Sequence, residues 1–315
     1  MSVCSVVSFY EFTHVSDPRG LGEAVRMQAQ DRGLLGTAIL APEGLNATLA
    51  GERDALESLL DWLGDKPGFS RLPGRWSVAD APPFRRLRIK YRDEIVSIGR
   101  ADINPAEGQG QHVDARAWNR LLDDPETIVI DTRNDYEIEV GTFPGAVDPG
   151  TTNFREFLEF IEDDLSAARE KPIAMFCTGG IRCEKATAVM RDMGFENLFQ
   201  LDGGIINYLD QVADDDAIDN RWQGECFVFD ERVAVDRNRS PGAYVQCHGC
   251  RRALAEDDLK HPDYEPGICC ARCVDRITPR QREQFEERRK QVALADSRGE
   301  VHIGKVFAVR RSDQE

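Results

Sequence analysis

A cysteine heading a short glycine-bearing loop is the clearest chemistry in this chain. Residues 172–176 (PIAMF) make an apolar run that reads as a buried strand and ends at Cys177. Thr178, Gly179, Gly180, Ile181 and Arg182 follow, and then a helical pattern over 183–193. Strand, loop and helix in that order aim backbone N–H groups and a helix N-terminus at one point. A thiol held there has its pKa lowered, because the amides and the Arg182 charge favour the thiolate. Cys177 is therefore read as a nucleophilic or persulfide-carrying cysteine, Arg182 as its electrostatic partner, and Thr178, Gly179, Gly180 and Ile181 as an anion-binding loop. The competing reading is a structural cysteine packed at a strand end, where free cysteines are often buried.

A second constellation lies near the C-terminus. Cys247-His248-Gly249-Cys250 and Cys270-Ala271-Arg272-Cys273 are two Cys-x2-Cys pairs separated by 19 residues. Two such knuckles place four thiolates around a zinc ion, and with no open coordination position the site reads as structural. Cys269 and His248 are spare donors, and reduced, metal-free cysteines are the alternative. A third group is basic. Residues 84–92 (FRRLRIKYR) carry Arg85, Arg86, Arg88, Lys90 and Arg92 with no acid among them. In a chain of net charge −16, which excludes a general polyanion binder, such a local patch is a candidate phosphate contact. It also fits a solvated edge strand with alternating basic residues. The mixed charges of 279–293 read as a solvated helix face with i,i+4 pairs.

The elements that position these residues suggest three regions in 315 residues. Residues 1–100 alternate as strand (3–12), helix (17–32), two strands (36–40 and 44–50) around a tight 41–44 turn, helix (55–63) and strand (75–79). That β-α-β-β-α-β order predicts a ferredoxin-like split sandwich, with the basic segment 84–92 after it. Residues 101–111 read as a linker. Residues 112–220 read as a parallel α/β domain: helix 114–122, strand 127–130, a turn into a short strand at 143–147, helix 154–168, the strand to Cys177, helix 183–193 and strand 197–201. Residues 221–315 read as a small cysteine-rich region. Nine cysteines without a signal peptide indicate thiol chemistry and metal binding in the cytoplasm, not a disulfide framework. No run of about 18 apolar residues indicates a membrane span, and no obligate protein partner is evident.

Several motifs carry a family resemblance. Ile130-Asp131-Thr132-Arg133, Phe143-Pro144-Gly145-Ala146, Cys177-Thr178-Gly179-Gly180-Ile181-Arg182 and Leu201-Asp202-Gly203-Gly204 resemble the successive landmarks of a rhodanese domain over about 112–213. That likeness implies a persulfide-bearing Cys177. The loop is six residues from Cys177 to Arg182, one shorter than the Cys-x5-Arg loop sized for phosphate, so a phosphatase reading is weakened. Cys183 stands where many rhodaneses have serine; a second thiol there resolves a sulfenic acid or persulfide on Cys177, or simply packs. With Glu43-Gly44-Leu45-Asn46-Ala47, CTGGIRCEK, the two knuckles and the 297–304 segment, nearly the whole chain resembles the rhodanese-related tRNA uridine hydroxylases. The resemblance implies oxygen-dependent formation of 5-hydroxyuridine at the wobble position, molecular oxygen as co-substrate, tRNA as partner and an essential Cys177. The second knuckle departs from the family's Cys-Pro-x-Cys pattern, with Ala271 after Cys270. A sulfurtransferase, and more distantly a non-catalytic RNA-binding scaffold, are the readings it competes with.

Overall fold

The computed structural model describes residues 4–70, 72–105 and 110–299, the side chain of Asp296 excepted. Part of the expected linker (106–109) and the 300–304 end of the C-terminal motif lie outside the described residues. The chain divides into two compact units, Met1–Tyr244 and Val245–Glu315.

The first unit opens with β1 (Cys4–Phe12), α1 (Pro18–Asp31), β2 (Leu35–Ala41), β3 (Gly44–Gly51), α2 (Arg53–Gly64) and β4 (Arg75–Ala79), the β-α-β-β-α-β order read from the sequence. Helix α1 starts where Asp17 accepts a hydrogen bond from the Gly20 amide at 2.9 Å, with Pro18 in the first turn. Helix α2 buries Leu56, Leu59, Leu60 and Leu63, an i, i+3, i+4, i+7 stripe, against the sheet. Gly44 has φ 143°, and a Cβ there would lie 2.0 Å from the Glu11 carbonyl oxygen, so the β2–β3 turn requires glycine. The sheet runs β4-β1-β3-β2-β5, and its last member, β5 (Leu87–Tyr91), is the basic segment, lying parallel to β2. In β1, Val7 and Phe9 enter the core, while Ser8 and Tyr10 point to the other face.

The second half of this unit contains β6 (Gln111–Val113), α3 (Ala115–Asp123), β7 (Ile128–Asp131), α4 (Asp135–Ile138), β8 (Gly141–Thr142), α5 (Phe157–Asp164), β9 (Ile173–Phe176), α6 (Ile181–Asp192), β10 (Leu198–Leu201) and α7 (Gly204–Asp214). The strands pair in parallel in the order β6-β10-β9-β7. Gln111, at the end of the expected linker, already belongs to β6. The helix expected over 154–168 is broken into α5 and flanking 3-10 turns, the first of them capped by Asn153. The strand expected at 143–147 is a single bridge, Ile130 to Val147. Asp131 and Arg133 form a buried ion pair at 2.6 Å, and Arg133 also donates to the carbonyls of Glu137 and Gly141. These two landmark residues brace the strand end.

Residues 221–244, grouped with the cysteine-rich region by the sequence, fold into the first unit. Strand β11 (Gln223–Gly224) pairs with β8, and a hairpin follows from β12 (Cys226–Phe227) and β13 (Ala234–Val235). Trp222 packs edge-on against Phe143 at 5.1 Å in a core shared with Trp118, Phe176 and Tyr208. That aromatic packing overrides the compositional boundary. The two halves are also tied by charge. Lys185 of α6 is fully buried, with its Nζ 2.5 Å from Glu43, 3.8 Å from Glu94 and 2.9 Å from the Ile103 carbonyl oxygen. Glu43 also accepts from the Ile95 amide at 2.8 Å.

The second unit is built on β14 (Val245–Gln246), β15 (Ala253–Leu254) and α8 (Pro279–Ser297). Helix α8 docks through Phe285, whose ring meets His248 at 4.8 Å, and through an Arg282–Glu265 ion pair at 2.7 Å.

Candidate active site and cysteine cluster

Cys177 follows β9 directly and is 1% exposed. The Gly180 amide donates to its Sγ at 3.1 Å. Gly180 reaches φ 96°, which turns the loop so that the first amides of α6 also face the sulfur. Burial pushes the Cys177 thiol up, but the Cys183 hydrogen bond, the Arg182 charge and the amides of Arg182 and Cys183 together outweigh it. The net result is a pKa lowered to about 6. Cys183 moves the other way: burial raises it, and the hydrogen bond and charge of Cys177 raise it further. Its Sγ lies 3.7 Å from Thr132 Oγ1. The pair therefore holds its negative charge on Cys177 and its proton on Cys183.

Arg182 is held from below. Its Nη2 lies 2.9 Å from Glu137 Oε1 and 3.1 Å from Oε2, and Glu137 is itself 0% exposed. Glu137 belongs to α4 and also accepts from the Asn134 amide at 3.2 Å, so the carboxylate that holds the arginine is itself fixed at the start of that helix. Arg182 Nη1 and Thr178 Oγ1 are buried without a hydrogen-bond partner among the described residues.

The loop forms one wall of a cleft of about 850 Å³. Cys177, Thr178, Gly179, Ile181 and Arg182 line it on one side, and the helix-free face of the N-terminal sheet lines the other with Tyr10, Arg75, Arg88 and Lys90. Of the five basic residues in the segment, Arg88 and Lys90 thus share the cleft with Cys177. Arg85 instead forms an ion pair with Glu231, and Arg86 and Arg92 are exposed away from the cleft lining. Burial, with help from Arg88 and Arg92, lowers the Lys90 pKa.

Sequence reasoning missed a polar chain that crosses between the halves. The Tyr10 hydroxyl donates to Glu184 Oε1 at 3.1 Å, and His112 lies 3.7 Å from the same oxygen and 3.3 Å from Asp202. Burial raises the Glu184 pKa against the opposing pull of His112, Gln200 and Tyr10. The Asp202 hydrogen bond raises His112 against burial, with Glu184 adding to it. Glu184 directly follows Cys183 in CTGGIRCEK and Asp202 stands in the Leu201–Gly204 landmark, but neither motif signals that the two meet through His112. Nothing local flagged Tyr10, 174 positions away from its partner.

In the second unit, the Sγ atoms of Cys247, Cys250, Cys270 and Cys273 all lie within 4.8 Å of one another, a set that could hold a metal ion. Separations are 3.7 Å for Cys247–Cys273, 3.7 Å for Cys250–Cys270 and 3.8 Å for Cys270–Cys273. Cys269 turns away, its Sγ 3.7 Å from the Asp263 carbonyl oxygen and 3.9 Å from Arg282. His248 meets Phe285 edge-on instead of joining the set.

Residues 4–95 match the family model of the UPF0176 acylphosphatase-like domain, and residues 114–211 match that of the rhodanese-like domain. The chain thus carries a UPF0176 N-terminal domain followed by a rhodanese-like domain, matching the rhodanese-related UPF0176 family. Among solved structures, the rhodanese-like domain of an Anabaena protein is 19% identical, over 37% of this chain and 80% of its own, with a TM-score of 0.30. An acylphosphatase from Coxiella burnetii is 22% identical over 28% of this chain and 92% of its own, with a TM-score of 0.22. The UPF0176 N-terminal domain therefore supplies Tyr10, Arg75, Arg88 and Lys90, and the rhodanese-like domain supplies Cys177. Among the described residues no helix is long and apolar enough to cross a membrane.

Proposed function

We propose that this protein is a cytoplasmic tRNA-modifying enzyme that hydroxylates the wobble uridine to 5-hydroxyuridine, with molecular oxygen as co-substrate. The observation that carries this reading is the cleft: the low-pKa Cys177 lies opposite a sheet face presenting Arg88 and Lys90. A thiolate that only relays sulfur between small molecules needs its loop alone. One roofed by basic side chains from another domain suits a phosphate-bearing polymer.

In this mechanism the Cys177 thiolate adds to C6 of uridine, which makes C5 electron-rich. C5 reacts with oxygen, and loss of the C5 proton with expulsion of the thiolate restores the ring. One oxygen atom enters the base; the second leaves as water, using two electrons and two protons from an external reductant. The Gly180 amide and Arg182 stabilise charge at the sulfur through the cycle.

The four-cysteine set fits zinc. Tetrahedral Zn–S bonds of about 2.3 Å require sulfurs about 3.8 Å apart, which the 3.7, 3.7 and 3.8 Å separations meet. Bound there through Cys247, Cys250, Cys270 and Cys273, zinc would be structural.

A sulfurtransferase is the second reading, favoured by the buried amide-lined loop, which suits a Cys177 persulfide. Nucleoside mass spectrometry of tRNA incubated with the protein in air, under nitrogen and with Cys177→Ala separates the two. A gain of one oxygen that needs both air and Cys177 supports hydroxylation. A gain of sulfur, or thiosulfate turnover with unchanged tRNA, overturns it.

A further inference from the structure

The hairpin of β12 and β13 carries an aromatic ring that its surroundings leave in the open. Phe229 is 60% exposed, while its neighbours Val228, Val233, Ala234 and Val235 are buried. The turn that presents it is closed by its own backbone. The Val228 amide donates to the Val233 carbonyl at 2.9 Å, and Val233 sits at φ 65°, a conformation β-branched residues rarely adopt. The turn is also pinned to the N-terminal half. The Glu231 amide donates to the Pro83 carbonyl at 3.1 Å, and Arg232 donates to Ser77 Oγ at 2.8 Å while paired with Asp230. Phe227 supports the ring edge-on at 5.3 Å, and Tyr136 supports Phe227 at 5.4 Å.

The ring lines the same cleft as Cys177, Arg88 and Lys90, and the Arg182 guanidinium lies 5.8 Å from its centroid. A lone exposed aromatic is ordinary on a protein surface. An exposed aromatic on a pinned turn, beside a thiolate and facing basic side chains, has the composition of a single-strand nucleic-acid site: a ring for the base and cations for the backbone.

We infer that Phe229 is the platform on which the target base stacks beside Cys177. The ligand class is an unpaired pyrimidine in RNA, its flanking phosphates met by Arg88 and Lys90. This rests on the tRNA reading above and assigns Phe229 as a positioning residue for that base.

The test is a cycle between ring and base. Binding of an RNA stem–loop with one loop uridine, and of the same RNA abasic at that position, is measured by fluorescence anisotropy with the full-length protein and its variants. In the wild type, removing the base weakens binding about 5- to 150-fold. Phe229→Ala weakens binding of the uridine RNA to the same extent and adds nothing on the abasic RNA, while Phe229→Trp restores the preference for the base. Because the ring is exposed, its truncation leaves the fold in place, and an unchanged melting temperature verifies this. The inference is overturned if Phe229→Ala binds the uridine RNA as tightly as the wild type, or if the two losses multiply. If the wild type ignores RNA altogether, the parent reading falls and this inference with it. If the wild type hydroxylates RNA but the cycle is additive, only the platform falls.

Discussion

The state of Cys177 makes a quantitative claim about reactivity. With a pKa of about 6, roughly 9% of the sulfur is thiolate at pH 5 and nearly all of it at pH 9, so alkylation should rise only about tenfold between them. A thiol at the ordinary 9.0 would rise about 5000-fold over the same range. The ratio cancels slow access to a buried sulfur, which affects both pH values equally. The plateau should also be low, because nucleophilicity falls with pKa; three units cost about 15- to 30-fold. Cys183, pushed well above the ordinary value, stays protonated and does not contaminate the profile. Replacing Arg182 by Met removes the cation beside the sulfur, which should raise the midpoint by about one to three units. The same pH 5 to 9 ratio then grows to between about 100-fold and 5000-fold. Arg182→Lys, which keeps the charge, should remain near the wild-type ratio. The assay is iodoacetamide labelling resolved by mass spectrometry of the Cys177 peptide, since the chain has nine cysteines. A wild-type rate that climbs thousands-fold, or an Arg182→Met profile that matches the wild type, would refute the electrostatic account.

Metal analysis should find one zinc per chain in the wild type and in Cys269→Ser, and none in Cys270→Ser, because only Cys270 points into the four-sulfur set; equal loss in both serine variants would exclude that ligand assignment. Glu43→Gln leaves Lys185 buried and poorly paired and should cost about 3–5 kcal/mol; urea unfolding would show it, and the Glu43→Gln/Lys185→Met pair should recover part of the loss. Arg88→Ala should lower the salt dependence of tRNA binding by about one unit of slope, whereas Arg85→Ala, already paired with Glu231 outside the cleft, should leave that slope unchanged.

Much of this arrangement was readable in the chain because it is local. Strand, Cys177, two glycines and Arg182 follow one another, and so do the members of each knuckle. The β-α-β-β-α-β order was legible from hydrophobic periodicity and the 41–44 turn. What escaped depends on contacts between distant segments. The basic stretch could be read as an edge strand, which β5 is, but nothing in it named β2 as its neighbour, since a strand's partner is chosen by tertiary packing. Glu137 reads as one more acid in an acidic chain until α4 brings it beneath Arg182. Residues 221–244 look like the start of a cysteine-rich tail, yet Trp222 is claimed by an aromatic core assembled from four other segments.

The buried Lys185 says something about how this protein can be taken apart. Domains are commonly cut at linkers and studied singly, on the premise that each carries its own solution to folding. Here the rhodanese-like half contains a lysine whose counter-charges, Glu43 and Glu94, reside in the other half. A rhodanese-like fragment beginning at the linker would expose an orphaned ammonium on α6 and strip Glu184 of Tyr10. Its behaviour would describe a damaged surface and not the rhodanese-like half as it stands in the whole protein. Each half completes buried polar contacts of the other, so the surface between them exists in its native form only when both are present.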